Sequence, residues 1–229
     1  MATSLNSVEN GVRFYGTTIG KKVVMAATGV VLFGFIVAHL LGNLQIFLPA
    51  DADGTFKLDA YAKFLHSNPG LLWGARTVLL AAVILHIWSS IALAQVQRKA
   101  RPIQYAKKDN SHSSYASRTM LLSGPIIALF IVYHLLHFTG GQMHPDFSES
   151  VRRNVVIGFQ DWAASSVYIV AISLLCMHLN HGLWSLFQTL GISHPRYTPL
   201  LKGFAILFSI LIAAGNISIP VAILIGLVK

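Results

Sequence analysis

Five stretches of the chain, residues 23–48, 71–97, 118–139, 163–189 and 201–228, run almost without charge between shorter polar segments. Each is longer than the ~20 apolar residues that carry an α-helix across the hydrocarbon core of a bilayer. Their ends carry suitable punctuation. Pro49 follows the first, Asn68-Pro69-Gly70 precedes the second, and Gly140-Gly141 closes the third. Pro125 and Pro220 fall inside spans, where neighbouring helices can satisfy the carbonyls that a proline frees. The pattern predicts an all-α fold: one domain over residues 1–229, built as an integral membrane bundle of five transmembrane helices. No soluble domain, low-complexity tract or internal repeat interrupts it.

Composition agrees with this pattern and narrows the chemistry. Of 229 residues, 54% are hydrophobic and only 11% charged, whereas soluble domains carry about a quarter charged residues. The lone cysteine, Cys176, excludes an internal disulfide and any cysteine-held zinc or iron–sulfur centre, and is expected to pack. The opening segment MATSLNSVENGVRFYGTTIGKK is polar, long and followed by no small-residue cleavage site, so the first apolar stretch is expected to be retained.

Charge sets the expected orientation. The end that receives the N-terminal segment and residues 98–118 and 190–202 holds Arg13, Lys21, Lys22, Arg98, Lys99, Arg101, Lys107, Lys108, Arg118, Arg196 and Lys202, against Glu9 and Asp109. At the other end Lys57, Lys63, Arg76, Arg152, Arg153 and Lys229 are balanced by Asp51, Asp53, Asp59, Asp146, Glu149 and Asp161. The whole net charge of +9 therefore falls on the first end. The positive-inside rule places that end and the N-terminus in the cytoplasm, with the C-terminus outside. Topology accounts for the basic character without a nucleic-acid partner; the expected location is the cell inner (cytoplasmic) membrane, as a multi-pass protein whose basic face offers a surface to acidic lipid or a cytoplasmic partner.

Histidine is the compositional oddity. Six of the ten, His39, His86, His134, His137, His178 and His181, lie within spans; His66, His112, His144 and His194 lie in loops and read as solvated. An ionisable side chain inside a bilayer needs a partner and marks function by default. At about 1.5 Å of rise per residue, counted from the cytoplasmic ends, His39 and His134 both fall about 24 Å in, and His86 and His178 about 17 Å. Four helices thus contribute two level pairs. Imidazoles facing across a bundle, with no carboxylate or thiolate beside them, suit a planar six-coordinate metal such as bis-histidine haem b. Zinc requires further ligands. A proton relay is the rival reading, although such relays commonly include membrane carboxylates, which these spans lack. Gly34, Gly42, Gly124 and Gly182 are small positions that could lie beside a macrocycle or serve close helix packing. Arg76 is a candidate partner for a haem propionate, with snorkelling as its plain alternative.

AHLLGNLQIF, LHIWSSIALA, FIVYHLLHFTGG and MHLNHGLWSLFQTLGISHPRY in the first four spans resemble the single-chain, five-helix, di-haem cytochrome b membrane anchor of succinate dehydrogenases and fumarate reductases. The resemblance covers nearly the whole length. Its most specific piece is His-x-x-x-Gly-Leu-Trp/Tyr in the fourth span, here His178 to Gly182 and onward. It implies that His39 and His134 ligate an outer haem and that His86 and His178 ligate an inner one. His137 and His181, each three residues from a ligand position, would lie beside the haems, bonded to propionates, carbonyls or water, or beside a quinone or proton path. The resemblance further implies a flavoprotein subunit carrying the succinate site, an iron–sulfur subunit docked on the basic face, and electron transfer through this chain to a membrane quinone. Asp59, in the outer loop before the second span, is the candidate quinone acid/base. Two other classes remain: a haem b subunit of another membrane dehydrogenase, such as a hydrogenase or formate dehydrogenase, and a non-haem proton channel or transporter.

Overall fold

The computed structural model describes residues 14–100, 115–192 and 194–229. Arg13, Arg101, Lys107, Lys108 and His112 lie outside the described residues, as do Glu9 and Asp109. The five spans form as helices: α1 (Thr18–Asn43), α3 (Pro69–Ala100), α4 (Tyr115–Phe138), α6 (Trp162–Thr189) and α7 (Thr198–Leu224). Two short helices are added, α2 (Lys57–His66) and α5 (Val151–Gln160). All five long helices are long and apolar enough to cross a membrane.

Boundaries follow local chemistry. Thr17 starts α1, its hydroxyl oxygen accepting from the Gly20 N–H, and Asp161 starts α6 by accepting from the Ala163 N–H. Both are ordinary N-cap bonds that satisfy one of the orphan donors of a first turn. The first span was expected to remain helical to residue 48. Instead α1 ends at Asn43 and tightens into a 3-10 turn over Leu44–Phe47 before Pro49, a common way to close the last carbonyls. Beyond α4 the chain reverses at Gly141, whose φ of +75° is a left-handed conformation open to glycine at little cost. Both internal prolines, Pro125 in α4 and Pro220 in α7, are carried without breaking their helices.

α1 packs along α3, α4 along α6, and α6 along α7, while α1 also touches α6 and α7. The resulting frame is a square of α1, α3, α4 and α6, loose along its α3–α4 edge, with α7 against its α1–α6 side. Little of it is shielded by protein. Even in α7, the most enclosed span, 39% of the most apolar stretch is buried, and Leu129, Leu200 and Leu211 point outward, as side chains facing lipid do.

The main buried cluster lies at one end, where two segments expected to be loops pack against the ends of the spans. Ile46 of the 3-10 turn, Leu58 of α2, Val156 and Phe159 of α5, Tyr168 of α6 and Ile219, Ala222 and Ile223 of α7 pack together there. Helices α2 and α5 thus join the loops after the first and third spans into a lid over the end assigned outward by charge. Gly42 belongs to this packing. A Cβ on it would stand 2.8 Å from Tyr61 Cε1, so this glycine admits the α2 ring rather than a macrocycle. Gly42→Leu is therefore expected to destabilise the protein by about 1–3 kcal/mol through overpacking, read as a lowered melting temperature in detergent.

Candidate functional site

The level histidines meet in the interior of the square, on diagonally opposite helices. His39 of α1 faces His134 of α4, with ring centroids 5.7 Å apart and planes at 90°. His86 of α3 faces His178 of α6, at 6.4 Å and 56°. A metal held axially by two imidazole nitrogens, each at a bond of ~2 Å, puts the ring centroids ~6 Å apart. Both pairs have that separation. Among the described residues no group of three or more His, Cys, Asp or Glu side chains could hold a metal ion. A two-imidazole set suits a metal whose equatorial ligands arrive with it, as in haem, and suits a bare ion poorly. Gly34, Gly124 and Gly182 each have open space where a Cβ would stand, so these three remain compatible with a flat group nearby.

The second nitrogen of each ring decides whether the first is free to bind. Thr28 donates its hydroxyl proton to the Val24 carbonyl at 2.7 Å, so its oxygen accepts from His86 Nδ1–H at 3.1 Å. Ser123 is arranged alike: its hydroxyl reaches the Met120 carbonyl at 3.4 Å and His178 Nδ1 at 3.4 Å. Fixing Nδ1 as the protonated atom leaves Nε2 with its lone pair, the form in which imidazole ligates a metal. His134 Nδ1 lies 3.1 Å from the Tyr168 hydroxyl, and His137 Nδ1 lies 3.1 Å from the same oxygen. A phenol has one proton, so one of these imidazoles donates to Tyr168 and the other accepts from it.

These anchors repeat at a fixed interval. Thr28 and His39 are eleven residues apart on α1, and Ser123 and His134 are eleven apart on α4. Eleven residues make about three turns, so both members share a face, roughly 16 Å apart along the axis. The inner pair therefore sits level with the two small hydroxyl residues, and the outer pair three turns further along.

Other expected site residues are placed as follows. His137 is 1% exposed, stacks on Tyr133 at 5.4 Å and packs against His144 at 5.3 Å. His181 is half-buried on α6. Arg76 is exposed on α3, its guanidinium 4.9 Å over the Trp73 ring. Asp59 lies in α2 and binds the start of α5: one carboxylate oxygen accepts from the Arg152 N–H at 2.9 Å and the other from the Ser150 hydroxyl at 3.0 Å. His66 and His194 are exposed, as expected of loop histidines. His144 corrects that reading. It is 9% exposed; its Nε2–H donates to the Asn154 carbonyl at 2.8 Å and its Nδ1 accepts from the Asp146 N–H at 3.1 Å. A loop folded under α5 buries it, and both ring nitrogens are satisfied.

Tyr168, Thr28 and Ser123 were not among the sequence candidates. Single hydroxyl residues are common in membrane helices, and only the eleven-residue offset from each histidine distinguishes two of them. Tyr168→Phe should leave His134 and His137 each short of a hydrogen bond and lower stability by about 1 kcal/mol, measured by thermal unfolding in detergent. Asp59→Ala should loosen α5 and cost about 0.5–2 kcal/mol by the same measurement. Comparison with known proteins found no matching family model, no matching curated protein and no matching solved structure.

Proposed function

We propose that this chain is the membrane anchor and electron-transfer subunit of a succinate dehydrogenase or fumarate reductase. It would hold two haem b groups, one between His39 and His134 and one between His86 and His178. The observation that carries the reading is the pair of diagonal imidazole contacts, 5.7 and 6.4 Å between centroids. Hydroxyls engage Nδ1 in three of the four rings. Bound there, haem b supplies one-electron transfer at potentials set by its axial ligands, burial and surrounding hydrogen bonds.

The chain's own residues orient and insulate. Thr28 and Ser123 would keep Nε2 of His86 and His178 unprotonated and free to bind. In this reading His134 donates Nδ1–H to Tyr168, and the phenol proton passes to His137 Nδ1, so the ligand and its neighbour take opposite tautomers. Phe130 and Phe138 pack on His134, and Phe35 stacks on His39, which shields the outer pair from water.

The basic end would dock the iron–sulfur subunit, which receives electrons from the flavoprotein, because Arg98, Lys99, Arg196 and Lys202 are all exposed there. Quinone exchange is assigned to the opposite end. Asp59, the acid/base candidate, is committed there to Ser150 and Arg152, so proton exchange through it requires those bonds to open.

Gentle purification followed by haem quantification, a reduced-minus-oxidised spectrum and identification of the accompanying subunits tests the reading. Two bis-histidine haems b per chain, with a flavoprotein and an iron–sulfur subunit, are expected. No haem, or one per chain, would overturn the two-site assignment. Hydrogenase or formate dehydrogenase subunits would transfer the anchor to another enzyme. His178→Ala should lose one haem, whereas His181→Ala should keep both; the reverse would show that the fourth-span register is wrong.

A further inference from the structure

At the lidded end lies a second feature that owes nothing to the histidines. The Arg152 guanidinium sits 3.8 Å over the Phe56 ring, and its Nε is shielded from solvent without a hydrogen-bond partner. The ion pairs found among the described residues, Lys57 with Asp51 and Arg153 with Asp146, do not involve it. Asp59, the nearest carboxylate in the hydrogen-bond pattern, binds the Arg152 backbone N–H and the Ser150 hydroxyl rather than the guanidinium. Arg152 also occupies the first turn of α5, where the positive end of the helix dipole already disfavours a cation. A partly buried charge in that position gains most from an anion.

The guanidinium lines a cavity of about 370 Å³ whose other walls include Ile46, Phe47, Pro49, Phe56 and Leu227. Phe47 is the last residue of the first membrane span. The cavity therefore lies at the end of that span, where the boundary between hydrocarbon and head groups would fall. Phe47 and Leu227 are 43% and 76% exposed, so apolar surface continues from the cavity mouth.

We infer that this cavity binds one phospholipid, its phosphodiester on Arg152 and an acyl chain along Phe47 and Leu227. A guanidinium matches two phosphate oxygens with paired donors, and the hydration it loses under Phe56 is returned by that contact. The apolar wall distinguishes a lipid from a free anion. This assignment is independent of what the histidines hold.

The test uses the full chain, with whatever subunits accompany it, delipidated in detergent and then supplied with phosphatidylglycerol, with diacylglycerol of the same chains, or with inorganic phosphate. Phosphatidylglycerol is expected to raise the melting temperature and to appear as one retained lipid by native mass spectrometry, and the other two are expected to do neither. Arg152→Gln should weaken phosphatidylglycerol retention at least five-fold, and Arg152→Lys less. Arg153→Gln should leave it unchanged, because Arg153 is already paired. Equal effects of phosphatidylglycerol and diacylglycerol, or an effect of inorganic phosphate matching that of the lipid, would overturn the assignment. So would unchanged retention in Arg152→Gln. Should that variant fail to fold, the wild-type comparison of the three additives still decides.

Discussion

An imidazole in the middle of a bilayer has two nitrogens to account for, and water is available to neither. That constraint organises the interior of this bundle. His86 and His178 meet it by giving one nitrogen to a hydroxyl on a neighbouring helix, Thr28 and Ser123, which leaves the other free, with the two rings 6.4 Å apart. The outer pair uses a longer side chain for the same purpose, since His134 finds the Tyr168 phenol. Each such bond fixes the rotation of two helices at once. α1 must present Thr28 to α3 and His39 to α4, which an eleven-residue offset allows because both then lie on one face.

The diagonal arrangement follows from which helices pack. The contacts that hold the frame run along α1–α3, α4–α6 and α6–α7, while the imidazoles link α1 to α4 and α3 to α6. Packing and chemistry therefore use different helix pairs. In lipid, helices gain little from burying apolar surface against one another, so close packing and hydrogen bonds carry more of the association. A group bridging a diagonal pair would add a constraint that the frame itself leaves weak.

Stability of another kind gathers at the lidded end. There α2 and α5 bury apolar side chains against α6 and α7 much as a small soluble domain does. The Asp59 carboxylate ties the two short helices together by capping the start of α5. His144 is drawn into the same region and its ring is fully bonded. This lid meets the outer histidine pair through Tyr168, a residue shared by the apolar cluster and the hydrogen bonds of His134 and His137.

By itself the sequence determined the five spans, because long uncharged stretches have one stable form in lipid, and it determined which histidines pair in depth, because helical rise is nearly constant, though the two levels, counted about 7 Å apart, stand about 16 Å apart once the helices are set side by side. The depth pairing of His39 with His134 and of His86 with His178 was legible for that reason. Tertiary structure alone decided the rest. The short amphipathic stretches 57–66 and 151–160 read as loops, since their helical form depends on burial against distant segments. Asp59 read as an accessible acid/base candidate and His144 as solvated because the groups that bind them, Ser150 and Arg152 for one and Asp146 and Asn154 for the other, meet them only in the folded lid. Thr28, Ser123 and Tyr168 are ordinary membrane-helix residues until the helices are set side by side. A hydrogen bond between helices depends on their relative rotation and depth, and no single stretch of sequence records either.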